Sequence, residues 1–276
     1  MRTIVNKLRL APATRGLGTR VVGPYPPWWV PSAGGGGAPA PTDPYFSDVV
    51  LLMHMEGANN GTTFIDSSSV GRSVTAAGAV HTNTSQFVFG TASAHFPNSP
   101  GYLYFNPAES FSDFNLGLSN EPFTVEFWVR LHSTSATQIL FGKGGGTAGW
   151  YNSTGNQYMM FLESSILYFQ WWTSGTNPNT ISKSVASIPG GWATNTWYHI
   201  GVDYDGTTTR LLFNGNQLST GTAAYSERAQ ATIMRVGAGP YGYPVNNGYI
   251  DDFRITKGVA RYAGPYSIPT ETFPDQ

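Results

Sequence analysis

The stretch GYIDDFRITKGVARY, Gly248 to Tyr262, sets two adjacent carboxylates, Asp251 and Asp252, inside a run that otherwise reads as a strand. Side chains on one face of a strand share parity. Phe253 and Ile255 agree with each other and Ile250 does not. One extra residue, a β-bulge, exchanges the faces in this way, re-aims side chains and frees a carbonyl. Three roles are open to acids so placed. They pair with Arg254 or Arg130; or one of them joins Asp66, in the stretch FIDSSS, around a structural Ca²⁺, which takes carboxylate and carbonyl oxygens; or both stand in solvent.

Other reactive patterns are weaker. The five histidines, His54, His81, His95, His132 and His199, are dispersed, with no His-x-His or His-Glu-x-x-His spacing for a metal. No Gly-x-Ser-x-Gly elbow marks a serine nucleophile. GGGTAG (Gly144–Gly149) and GAGPYG (Gly237–Gly242) match the dinucleotide fingerprint in spacing, but no helix follows either to face a phosphate, so both read as loops. DYDG (Asp203–Gly206) lacks the further ligands of a calcium loop and reads as a hairpin turn. With no cysteine, disulfides and thiolate metal sites are excluded. Sugars bind to aromatic faces flanked by planar polar groups. The candidates are Trp150 and Tyr151 in AGWYNSTGN, Trp172 in QWWTSGTN, and Tyr241 and Tyr243 in GPYGYPVNN, all expected in exposed loops.

The elements that must position these residues are strands. Only 11% of the 276 residues are charged, 14% are aromatic and 33 are glycine, a composition of short strands joined by turns. FTVEFWVRL (Phe123–Leu131) alternates. So does TWYHIGVDY (Thr196–Tyr204), with Tyr198, Ile200, Val202 and Tyr204 expected to face the core. Asp205–Gly206 and Asn214–Gly215 are hairpin turn signals. Further strands are expected at Val49–Met55, Ala94–Phe96, Tyr102–Phe105, Gln138–Gly142, Gln157–Leu162, Leu167–Trp172, Ile233–Gly237 and Tyr249–Thr256. This number and spacing predict an all-β antiparallel sandwich or barrel.

Residues 1–44 differ from the rest. Arg2, Lys7, Arg9, Arg15 and Arg20 give residues 1–42 a charge of +5 with no acid, whereas the remainder carries −6. GPYPPWWVPSAGGGGAPAPTDP follows, a Pro/Gly-rich linker centred on Trp28–Trp29. Adjacent tryptophans are typical interface anchors, so the basic residues and both tryptophans are expected to tie residues 45–276 to a partner. Fully extended, the arm reaches ~140 Å at ~3.3 Å per residue. A net charge of −1 gives no general attraction to nucleic acid or acidic lipid. No apolar run is long enough for a membrane span or a signal peptide, which leaves cytosolic synthesis as the expectation.

VVLLMHMEGANNGTTFIDSSSVGRSVTAAG, QFVFGTASAHFPNSPGYLYF, EPFTVEFWVRL, NTWYHIGVDYDGTTTRLLFNGNQL and GYIDDFRITKGVARYAGPYSIPTETFPDQ occur in that order. Together they resemble the laminin-G-like branch of the concanavalin A-like lectin/glucanase superfamily, and the closing segment is similar to versions found in virion proteins of tailed bacteriophages. The resemblance implies a jelly-roll sandwich over residues 45–276. It also implies a non-enzymatic virion structural protein, for capsid decoration or tail and fibre attachment, with contacts to other virion proteins through the arm. Self-association, a trimer among the options, and weak binding of a host glycan belong to the same expectation; a dedicated adhesion module and a glycan hydrolase are the alternatives. Hydrolases of this superfamily carry Glu-x-Asp-x-x-Glu on one strand. EPFTVE keeps both glutamates, Glu121 and Glu126, but has Phe123 at the centre, so no catalytic residue is assigned and Glu126 is expected on a solvated or groove face. No cofactor is required; a structural Ca²⁺ at Asp66, Asp251 and Asp252 is the one raised by the resemblance. Relatives commonly read HFDG where this chain has HMEG, His54–Gly57.

Overall fold

A computed structural model describes residues 42–97, 101–106, 112–144, 156–173, 177–225, 232–239, 244–245 and 247–276. The chain divides into units 1–39 and 40–276, and the description concerns the second. The arm candidates Arg2, Lys7, Arg9, Arg15, Arg20, Trp28 and Trp29 lie outside the described residues, as do Trp150, Tyr151, Tyr241 and Tyr243.

Fifteen strands run in order among the described residues: β1 (Val49–Met53), β2 (Val74–Gly78), β3 (His81–Asn83), β4 (Ser93–Phe96), β5 (Gly101–Phe105), β6 (Phe123–Leu131), β7 (Gln138–Gly144), β8 (Asn156–Glu163), β9 (Ile166–Trp172), β10 (Pro178–Ser184), β11 (Trp197–Tyr204), β12 (Thr209–Phe213), β13 (Asn216–Gly221), β14 (Ile233–Val236) and β15 (Gly248–Lys257). They form two antiparallel sheets. The larger has the order β13-β12-β11-β6-β15-β4-β3, with β1 also pairing β15; the smaller has the order β10-β9-β8-β7-β14-β5-β2. The expected all-β sandwich is what forms. One core fills the space between the sheets. Phe123, Val125, Phe127, Val129 and Leu131 of β6 enter it, as do Ile200, Val202 and Tyr204 of β11 and Tyr158, Met160 and Leu162 of β8.

The two hairpin signals act as expected. Asn214 (φ 46°) and Gly215 (φ 85°) turn β12 into β13 with both residues in the left-handed region. Asp205 closes the β11–β12 turn by accepting the amides of Thr207 and Thr208 at 2.9 and 2.8 Å. The pattern left β2, β3 and β10 unannounced. β2 (VTAAG) is short, small and half-exposed, and β10 lies at a sheet edge with Pro178 at its first position, where no ladder amide is needed.

The change of parity in β15 is a bulge. Asp251 faces Trp128 and Arg254 faces Glu126, so three steps along β15 match two along β6, and Asp252 is the extra residue, with φ at 44°. Ile250, Phe253 and Ile255 all reach the core as a result. The bulge also marks a change of neighbour, because Gly248–Ile250 pair β4 whereas Phe253–Thr256 pair β1.

Candidate functional site

The outer face of the larger sheet gathers most of the polar side chains with chemical potential. On β6, alternation turns Thr124, Glu126, Trp128 and Arg130 outward, and on β11 it turns Trp197, His199, Gly201 and Asp203 outward. Tyr249 and Asp251 face the same way before the bulge of β15, Arg254 and Thr256 after it.

Half of this face is closed by the chain itself. Residues 258–276, after β15, cross it as a strap. Tyr262 N–H donates to Asp203 (2.9 Å), Tyr266 N–H to Gly215 O (3.0 Å), and Phe273 N–H to Asp252 (2.8 Å). Beneath it Glu126 is wholly buried. Its carboxylate takes Arg254 through Nη2 at 2.7 Å and Nε at 3.0 Å, accepts the hydroxyl of Tyr262, and lies 3.2 Å from His199 Nε2. His199 Nδ1 is 2.7 Å from the Tyr266 hydroxyl. Arg254 also reaches Asp43 at 2.9 Å, Arg261 reaches Asp43 at 2.7 Å, and the Arg254 guanidinium sits 3.8 Å from the centre of the Phe273 ring. Burial by itself would raise the pKa of Glu126. The charge of Arg254, with His199 and the Tyr262 hydroxyl, overcomes it and holds the carboxyl well below the usual range. Gly201 leaves room for this group, since a Cβ there would lie 2.6 Å from Val125 O and 3.3 Å from Glu126.

Several expectations are corrected here. Glu126 is on neither a solvated nor a groove face: it is sealed and ion-paired. An acid held ionised and without access can neither attack a sugar nor protonate a leaving group. Glu121, by contrast, is half-buried at the rim, 3.4 Å from Lys257. Arg254 pairs with Glu126 and Asp43 rather than with Asp251 or Asp252, and Arg130 donates to Asn195 O at 3.1 Å. Asp43, on the arm side of the expected division at residue 44, is part of the sandwich. Trp172 is not in an exposed loop: it ends β9 opposite Pro178 and packs with Ile139, Met159 and Phe161, 2% exposed.

The calcium candidates serve the fold as anchors. Asp66 accepts the amides of Leu52, Ser68 and Arg72 at 2.8–3.0 Å, tying the FIDSSS loop to β1. Asp251 accepts Val88 N–H at 2.7 Å. Asp252 takes His54 Nδ1 at 2.7 Å and the Phe273 amide. Among the described residues no three carboxylate or imidazole side chains are grouped to hold a metal ion, and the oxygens of these aspartates are taken up by backbone amides and His54. Glu56, the departure from HFDG, binds the amide and hydroxyl of Thr91 and so fixes a neighbouring loop.

A cavity of about 320 Å³ opens beside the bulge, lined by His54, Glu56, Gly90 and Thr272–Asp275. Thr272 Oγ1 lies 3.0 Å from His54 Nδ1, the same nitrogen that meets Asp252. A hydroxyl–imidazole–carboxylate relay needs the two partners on opposite nitrogens, so this is not a nucleophile site. It does make stability depend on pH. Burial opposes charging of His54, but the carboxylate of Asp252, with Asp275 and Asp251 beyond it, raises its pKa. Burial, reinforced by the charge of Asp252, pushes Asp251 up to about 7. Between pH 5 and 7 these two groups therefore hold protons in the folded chain that they release in the unfolded one, and their contribution to stability falls as pH rises. The fall is at most ~2.7 kcal/mol for each fully differential proton over those two units. The Tm difference between the native chain and His54→Gln should shrink as pH rises across this window, because His95 and His132, whose lowered pKa values act in the opposite sense, are common to both; a difference that grows would contradict the assignment.

The other half of the face is open. His81 faces His95, His95 faces Tyr249, Tyr249 faces Arg130 and Arg130 faces Trp197, one residue from each of the adjacent strands β3, β4, β15, β6 and β11. The rings interlock. His95 stacks on Tyr249 at 4.5 Å and 16°, the Arg130 guanidinium lies 5.4 Å from the Tyr249 ring, and Trp197 lies 6.3 Å beyond it. His81 Nε2 is 3.2 Å from His95 Nδ1, and Asn247 bridges His95 and His132. Tyr249 is largely enclosed by its neighbours, while His81, His95, Arg130 and Trp197 are half-buried and His132 is exposed. Sequence reasoning missed this row. The outward parity of Trp197 was legible, but the register that sets it beside Arg130 and His95 comes from pairings between strands far apart in the chain.

Among the described residues no helix is long and apolar enough to cross a membrane. No curated protein matches the chain. Its fold is similar to the binding domain of botulinum neurotoxin serotype D (14% identity, 78% of this chain and 49% of that one, TM-score 0.56). It is also similar to the receptor binding domain of botulinum neurotoxin type G (14%, 78% and 49%, TM-score 0.53). A third likeness is the binding domain of botulinum neurotoxin DC, solved in complex with SialylT (15%, 84% and 50%, TM-score 0.53). The chain spans about half the length of these structures, and at such identities the likeness is one of fold. The family model described as concanavalin A-like lectin/glucanases superfamily matches residues 106–261, more than half of the chain. By that match, and by its two-sheet architecture, the chain belongs to the laminin-G-like branch of the concanavalin A-like lectin/glucanase superfamily.

Proposed function

We propose that this chain is a non-catalytic, glycan-binding display module of a tailed-bacteriophage virion, attached to the particle through its N-terminal arm. The observation that carries the non-catalytic reading is the state of Glu126. The acid that stands where hydrolases of this fold keep theirs is sealed under the strap and held by Arg254. The open half of the same face, with its aromatic and planar polar side chains, supports a binding role. The virion assignment rests on the closing segment's similarity to phage proteins, and the attachment role on the basic residues and paired tryptophans before residue 44.

Two measurements test this. Incubation with host polysaccharide is expected to release no reducing ends, while the same polysaccharide retains the protein; catalytic turnover would overturn the reading. A chain starting at residue 42, which keeps Asp43 in its ion pairs, should fold and fail to join particles. Normal incorporation would remove the attachment role from the arm.

A further inference from the structure

Nothing in the sequence pattern or the family match assigns a ligand to the row His81–His95–Tyr249–Arg130–Trp197, yet its construction is specific. Four interstrand steps of ~4.8 Å give it a length of ~19 Å, enough for several linked rings. Its Trp197 end offers an aromatic face, the usual seat for the C–H side of a sugar. At its centre is a guanidinium. Arg130 uses Nε on Asn195 O and stacks on Tyr249, and its Nη1 lies 3.5 Å from His132 Nε2. It has no carboxylate partner among the described residues, unlike Arg72, Arg210, Arg254 and Arg261. A planar fork held by stacking, with no internal anion, suits a carboxylate from outside.

The charges around it point the same way. His81 and His95 flank Tyr249 on one side, and His132 lies beside Arg130. Asp251, two residues from Tyr249 on this face, turns its carboxylate to the amides of Val88 and Phe89. The row therefore presents cationic and imidazole groups with no acid among them.

We infer that this row is a binding site for an acidic saccharide, with Arg130 gripping the sugar carboxylate, Trp197 stacking under a neighbouring ring, and the histidine edge donating to hydroxyls. The inference deepens the binding role proposed above and rests on it. Acidification strengthens the site. His95 has its pKa lowered by burial and by the charges of His81 and His132, and His132 has its own lowered by burial and by Arg130. Each gives up its proton more readily than a free imidazole, and a bound carboxylate, by favouring the charged forms, couples binding to proton uptake. Affinity for an acidic saccharide thus rises as pH falls.

The test uses the full chain and two matched pairs of probes: an oligouronate with its carboxyl-reduced counterpart, and a sialylated trisaccharide with its desialylated form. The expected result is binding of at least one acidic probe over its neutral partner, tighter at pH 5.5 than at pH 7.5. Arg130→Gln, which keeps a planar donor but no charge, should weaken that binding at least tenfold and erase the acidic preference. Trp197→Ala should weaken acidic and neutral probes alike. Thermal melts of both variants confirm that they are folded. Preference for a neutral probe, or acidic binding untouched by Arg130→Gln and Trp197→Ala, would overturn the assignment to this row while leaving the general binding role standing. Retention of no saccharide at all would remove both.

Discussion

Replacing Glu126 by glutamine is expected to cost the sandwich about 3–5 kcal/mol, the usual penalty for leaving one partner of a buried ion pair uncompensated. The geometry supports the upper part of that range. Glu126 answers Arg254 through two bonds and is also met by Tyr262 and His199, and both Glu126 and His199 are wholly buried. For a domain of this size the loss corresponds to a fall in Tm of roughly 10 °C. Arg254→Met should be comparably harmful, because it strips Glu126 of its main cation and Asp43 of one of its two arginines. Denaturant unfolding of the two variants checks this. A cost under about 1 kcal/mol for both would mean that the network is ornamental and that Glu126 is retained for some other purpose.

The second large effect is expected at Phe273, three residues before Gln276. Its ring packs on Val49 and Leu52 and lies against the Arg254 guanidinium, and it is 3% exposed. Truncation of a buried phenylalanine to alanine costs about 3–5 kcal/mol, and loss of the guanidinium contact adds to it. Hydrogen exchange is the more informative readout, since it separates local opening from global unfolding. In Phe273→Ala the amides of Tyr262, Tyr266 and Phe273 should lose protection before those of β6 and β11. Equal loss everywhere would mean that the strap folds as one unit with the sandwich rather than as its cover.

The strands were legible wherever one face is apolar and the other is not. β6, β11 and β15 could be read from alternation alone, and the parity change at Asp251–Asp252 even located the bulge. Short or small-residue strands such as β2 and β3 carry no such contrast. The polar site was harder to read because burial of a polar residue depends on what crosses above it. Glu126 looks like any outward strand residue until residues 258–276 are known to lie over it. Arg254 seemed destined for its neighbours in sequence, yet its partners are Glu126 and Asp43, 128 and 211 residues away. Trp172 was misplaced for a related reason: a tryptophan at a strand end beside a Gly- and Asn-rich run suggests a loop, and only the pairing with β10 shows that it is covered. The His81–Trp197 row lies beyond any reading of local pattern, since its five members come from five separate strands.

The amide of Asp43 donates to the carbonyl of Gln276 at 2.9 Å, beside the ion pairs of Asp43 with Arg254 and Arg261. The residues that lead into β1 are thus held against the strap that follows β15 by one backbone hydrogen bond and the ion pair of Asp43 with Arg261, so the two ends of the described sandwich close on one corner.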